Sequence, residues 1–153
     1  MSTIVESVDV EVPVRTAYDQ WTQFESFPKF MEGVKSVRQL DDTTIEWVAE
    51  IAGREERWKA RITEQEPDQR IAWTAIDGAK NAGVVTFHRL AEGRTRVTLQ
   101  LEVDPEGPVE SVGDALGVVQ RRVKGDVERF KDFIEGRGVE TGAWRGKVEQ
   151  TAR

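Results

Sequence analysis

Two helical stripes with only strand-like segments between them constrain this chain most. Val14, Ala17, Tyr18, Trp21 and Phe24 recur at the spacing of one apolar helix face. Pro13 precedes them, where a first helical turn tolerates a missing N–H. Ser26 can cap a second short turn carrying Phe27, Phe30 and Met31, with Pro28 in its first turn. Further on, Val109, Val112, Leu116, Val119, Val123, Val127, Phe130 and Ile134 form a sustained stripe that predicts one long helix, with Gly136 as its C′ residue. Gly113, Gly117 and Gly125 each weaken that helix by about 1 kcal/mol relative to alanine.

The first strand is read from Ile4, Val8, Val10 and Val12, which alternate with polar residues and share a phase with Glu6. Strands are then predicted over Val34–Leu40, Thr44–Ile51, Arg54–Thr63, Arg70–Ile76, Val84–Leu90 and Arg96–Val103. The breaks carry turn residues such as Asp41-Asp42, Pro67-Asp68, Asp77-Gly78 and Glu92-Gly93, as in an antiparallel meander. Ile45, Trp47, Ala49 and Ile51 share one face, as do Trp58, Ala60 and Ile62. Ile71, Trp73 and Ala75 follow the same rule, as do Val85 with Phe87, and Val97, Leu99, Leu101 and Val103. Glu46, Glu50, Arg57, Lys59, Arg61, Thr98, Gln100 and Glu102 take the opposite faces, so one side of the sheet meets water.

That phase places three indoles, Trp47, Trp58 and Trp73, on the covered face, opposite Trp21 of the first helix. Each fully buried indole removes about 200 Å² from water, worth on the order of 5 kcal/mol. The indoles are interspersed with Ala49, Ala60 and Ala75, and one long helix cannot cover a broad curved sheet. An apolar hollow between sheet and helix follows. The competing reading is that the indoles fill the core.

Composition narrows the possible occupants. At 153 residues the chain reads as one domain, residues 1–136, followed by an irregular and mobile tail, 137–153, rich in glycine. The net charge of -6, with no basic run longer than Arg121-Arg122, argues against nucleic acid and against an anionic membrane surface. Without cysteine, and with His88 as the single histidine, no thiolate or multi-histidine metal site is expected, and no cofactor. There is no signal-like start and no apolar run near the roughly 20 residues that span a bilayer, so a cytoplasmic location without membrane insertion is expected.

The chain resembles the START-like, helix-grip superfamily, the polyketide cyclase/dehydrase and lipid-transport group also called SRPBCC. The resemblance covers about residues 3–136. Its carriers are Val10-Glu11-Val12-Pro13, Ala17-Tyr18, Trp21, Phe24 to Met31, Trp58 to Glu64, Arg70-Ile71-Ala72-Trp73 and the last helix. It implies an α+β fold, Bet v1-like, with a seven-stranded antiparallel sheet wrapped around the long C-terminal helix and two short helices after the first strand. It also implies a cavity opening near the loops and the N-terminus of that helix. The fold hosts carriers, sensors, cyclases and co-chaperones, so it does not by itself assign a function.

Candidates for chemistry are few. Cyclisation of a polyketide needs polar groups converging on the substrate. Tyr18 lies on an apolar stripe and reads as a packed core tyrosine. His88 is out of phase with Phe87 and reads as a surface histidine, unless a bulge near Arg89 reverses it. Glu6 is in phase with the inner face and is either a strand-end carboxylate in water or a buried base. Arg54 and Glu56 read as a rim ion pair or as groups that orient a ligand's polar end. Trp47, Trp58, Trp73, Phe87, Leu116 and Val119 are the expected lining. Trp144 stands alone in a glycine-rich tail, either loosely against its own surface or docked on a second subunit or at the cavity mouth. The leading expectation is binding of a small hydrophobic or polycyclic molecule, such as a lipid, quinone or polyketide-like compound. The alternatives are a polyketide aromatase/cyclase or dehydratase, and a noncatalytic interaction protein with a filled core, in which Trp144 mediates assembly as a homodimer.

Overall fold

A computed structural model describes residues 2–51, 53–77, 81–103 and 112–149. Strand β1 (Ser2–Val10) leads into helix α1 (Val14–Trp21) and a 3-10 turn (Phe24–Lys29). Six strands follow: β2 (Val34–Asp41), β3 (Thr44–Ile51), β4 (Arg54–Glu66), β5 (Arg70–Ala75), β6 (Asn81–Ala91) and β7 (Arg94–Val103). Helix α2 (Val112–Arg137) comes last. The seven strands form one antiparallel sheet in the order β1-β7-β6-β5-β4-β3-β2. This is the α+β helix-grip architecture, in which α2 packs on the inner face against β1 and β7.

Local chemistry accounts for the first elements. Pro13 holds an extended conformation before α1, and its carbonyl accepts the first helical bond from the Ala17 N–H at 3.1 Å. The stripe of α1 becomes the buried set Ala17, Tyr18 and Trp21. Trp21 joins Phe27, Phe30 and Phe130 at centroid separations of 5.1–5.7 Å, mostly edge-to-face. This cluster fastens α2 to the N-terminal helices. Polar bonds reinforce it: Arg129 donates to the Phe30 carbonyl at 3.1 Å, and Asp126 accepts from the Glu32 N–H at 3.0 Å. Arg122 donates to the carbonyls of Glu32 and Glu50 across Gly33. Gly33 has φ +90°, a conformation that favours glycine, and a Cβ there would displace the Arg122 guanidinium from these carbonyls.

Several boundaries differ from the sequence reading. Val12 lies beyond β1, although it is buried. β4 runs on past Thr63 to Glu66, β6 begins at Asn81, and β7 begins at Arg94. The helix passes through Gly136 to Arg137, and Gly138 is the residue with positive φ, +76°. The Gly138 N–H closes the helix on the Ile134 carbonyl at 2.8 Å. Val109 and its two successors lie outside the described residues.

Residues 138–149 form a strap with little regular structure that is bonded to the body. Val148 bridges Gln65 with two backbone bonds of 2.7 and 3.0 Å. Gln20 exchanges bonds with Thr141, and the Trp144 N–H donates to the Thr22 hydroxyl. Arg145 pairs with both Asp19 and Asp68.

Candidate functional site

The sheet register determines what the hollow can contain. Trp47 faces Trp58 directly across β3 and β4, and the rings stack 5.9 Å apart at 7°. Trp73 lies 6.0 Å from Trp47, and Phe27 closes the other side at 5.7 Å. Trp73 is possible because its partner across β5 and β6 is Gly83, where a Cβ would stand 2.5 Å from the indole. The indoles therefore form one continuous aromatic wall, buried to 3–8 % exposure. The Nε1–H donors of Trp47 and Trp58 are buried and meet no acceptor among the described residues.

Burial along the inner face is uneven. Val85, Val97 and Leu99 are buried, whereas Leu101, Val103, Ala75, Val34 and Val119 are only partly covered. These half-open apolar residues gather where β7 ends, β3 turns into β4 and α2 begins. Val119 packs against the core from α2, while the side chain of Leu116 lies outside the described residues. Phe87 is buried at the other end of the wall and meets Tyr18 edge-to-face at 5.3 Å.

The expected polar residues do not converge. Glu6 is half-buried on the inner face, 3.4 Å from the Gln120 amide. His88 is exposed opposite Arg96; the bulge of β6 falls beyond it, between Arg89 and Ala91, and leaves its phase unchanged. Arg54 is exposed and Glu56 half-buried opposite Ala49, and no ion pair joins them among the described residues. Tyr18 is fully buried, and its hydroxyl has the Gln65 carboxamide beside it without a well-aligned hydrogen bond. Glu6, Leu99, Val85, Ile71 and Gln65 form one rung across five strands. Four strand spacings, roughly 19 Å measured along the sheet, separate Glu6 from Gln65 beside Tyr18. Tyr18, Glu6 and His88 are thus three separate sites.

Gln65 is the residue that the sequence pattern hides. Strict alternation after Ile62 would turn Glu64 inward. A bulge between Ile62 and Glu64 moves the phase by one, pairs Gln65 with Ile71 and buries it to 1 % exposure. Both polar atoms of its side chain are buried without a hydrogen-bond partner among the described residues, although the carboxamide lies beside the Tyr18 hydroxyl. Asp68 contributes a third such atom, Oδ1, while its Oδ2 binds Arg145 at 3.0 Å. Leaving each group unpaired costs about 1–3 kcal/mol. Burial pushes the Tyr18 hydroxyl up to about 12, against the pull of Gln65 and Arg145, and keeps it a neutral donor. Burial likewise raises Asp19 despite its pairing with Arg145. Arg145 covers the group from outside, 5.6 Å over the Tyr18 ring. Trp144 is half-buried in the same strap, folded over Gly146 of its own chain.

With this geometry in view, the relatives are informative. The family described as polyketide cyclase/dehydrase and lipid transport matches residues 10–134, and the chain belongs to it. An uncharacterized 17.2 kDa protein of Streptomyces lincolnensis is 56% identical over 149 residues, 97% of this chain and 99% of that protein. Among solved structures, the Zhui aromatase/cyclase from a Streptomyces species superposes with TM-score 0.76 at 15% identity, over 94% of this chain and 99% of that one. A START superfamily protein from Mycobacterium smegmatis gives 0.68 at 18%, over 88% and 95%. At these identities the two structures speak to the fold, which is START-like. Family and fold together suggest ligand binding or polyketide cyclase activity. Among the described residues no group of three or more His, Asp or Glu side chains could hold a metal, and no helix is long and apolar enough to cross a membrane.

Proposed function

We propose that this protein holds a small apolar or polycyclic molecule, such as a lipid, quinone or polyketide-like compound, between the inner sheet face and α2. The carrying observation is the stacked Trp47–Trp58 pair extended by Trp73, whose wall runs toward inward residues that remain half-open. Flat aromatic walls favour flat or ring-shaped partners, because offset stacking adds to the gain from area burial. The unpartnered indole N–H groups would orient an acceptor on the ligand. Binding is favoured over cyclisation because the ionisable candidates sit apart, whereas proton transfer needs groups within hydrogen-bond reach of one substrate position.

Mass spectrometry of an organic extract of the purified protein tests this directly. An apolar compound released on denaturation is expected, and titrating it back should quench indole fluorescence. No extractable compound, together with no quenching by any of a panel of fatty acids, quinones and polycyclic aromatics, would overturn the reading.

A further inference from the structure

We infer that the recess formed by Tyr18, Gln65 and Asp68 is a hydroxyl-binding subsite at the closed end of the hollow, and that the ligand is a hydroxylated apolar molecule. This rests on the binding function proposed above. Three elements bring under-satisfied polar atoms here: α1 supplies the Tyr18 hydroxyl, bulged β4 the Gln65 carboxamide, and the β4–β5 turn the buried Oδ1 of the partly exposed Asp68. Tyr18 and Gln65 lie within reach of each other but are not aligned as a full hydrogen bond, and the carboxamide keeps capacity to spare. Tyr18 and Gln65 are 0 % and 1 % exposed, so bulk water does not satisfy them. Buried polar groups in folded proteins almost always find a partner, and a cluster of orphans marks a place for one.

The donor and acceptor inventory defines that partner. Tyr18 offers an O–H, Gln65 an N–H₂ and a carbonyl oxygen, and Asp68 a carboxylate oxygen. A hydroxyl both accepts and donates, so it can satisfy atoms of either kind at once. A ketone or ether can only accept. A carboxylate would face Asp19 and Asp68, whose charges Arg145 and, 3.8 Å from Asp19, Arg15 already engage, so a further negative charge is disfavoured. Arg145 and the backbone bridge between Gln65 and Val148 close the recess on the outside. On the inside, Tyr18 touches Phe87, on the same sheet face as the indole wall. A molecule lying along the wall would therefore reach the recess with its polar end.

The probes are 2-naphthol, naphthalene and 2-naphthoate, titrated by indole fluorescence into the full chain and into the Tyr18→Phe and Gln65→Met variants. The expected result is a preference of roughly five- to ten-fold for naphthol over naphthalene, with naphthoate weakest. Each variant should erase that preference, so that naphthol and naphthalene bind alike. Both substitutions replace an unpaired buried polar group by an apolar one of similar size, so they should fold, and each tests the recess separately. If naphthalene binds and naphthol gains nothing, the subsite is wrong and the hollow stands. If the variants keep the preference, the hydroxyl is read elsewhere and the subsite is again wrong. If no probe binds, the subsite as stated is wrong, and the organic extract and the wider panel decide the binding function separately.

Discussion

The two ends of the interior are built from the same residue types and are closed very differently. At the α1 end, Trp21, Phe27, Phe30 and Phe130 are 0–1 % exposed, interlocked edge-to-face and sealed by the strap. At the other end Trp47 and Trp58 stack and Trp73 adjoins them at 32°, and their inward neighbours Leu101, Val103 and Ala75 are only partly covered. Aromatic content alone therefore does not distinguish a core from a binding wall. What distinguishes them is whether rings arrive from several elements and interlock edge-to-face, or come from adjacent strands and line up face by face along the sheet.

Substitutions can break that comparison. The largest effect is expected for Phe130→Ala, which empties the interlocked cluster and should cost about 3–5 kcal/mol in chemical denaturation. Trp58→Ala should cost no more than about 2 kcal/mol if the wall borders open space, while weakening probe binding. Equal costs at the two positions would mean that both ends are filled core. Removing the strap's clamp with Arg145→Ala should lower stability by about 1–2 kcal/mol, because the Asp19 side chain, 2 % exposed, loses its principal cation. No loss would show that the strap does not seal the α1 end.

A pH effect of similar size is expected at the closed end. Burial raises the carboxyl of Asp126 from about 3.8 to about 6, against the pull of Arg129 and the Glu32 N–H. A carboxyl whose folded value is raised takes up its proton in the folded state first. Stability should therefore rise as pH falls from about 6 to about 4, by on the order of 1–2 kcal/mol. Asp126→Asn, which keeps a carbonyl acceptor for Glu32, should flatten that window in pH-resolved melts. An unchanged slope would mean that the carboxyl titrates normally. The smallest effect is expected on the wet face: Arg96→Ala removes the 2.8 Å pair with Asp9, yet should lower Tm by no more than about 2 °C.

Much of this architecture was legible because strand alternation and helix stripes are local signals. The inward set Ile45, Trp47, Trp58, Ala60, Ile62, Ile71, Trp73, Val85 and Phe87 could be read one segment at a time, and so could the outward position of His88. Gln65 could not. It lies in Glu64-Gln65-Glu66, a run with no apolar period, and only the slip in pairing between β4 and β5 turns it inward. The strap was equally hidden, since a glycine-rich tail carries no pattern that names its docking surface.

By itself, the sequence determined the order of elements, the covered face of each strand and the concentration of indoles on it. Hydrophobicity and period are properties of neighbouring residues, so they need no knowledge of distant ones. The tertiary structure alone decided that Tyr18 and Gln65 lie side by side beneath Arg145, that Arg145 also binds Asp68, and that Glu6 and His88 stand apart from them. Those facts depend on strand register and on a contact such as Arg145 to Asp19, 126 residues apart. Separations of that length are brought together only when the whole sheet and both helices are in place.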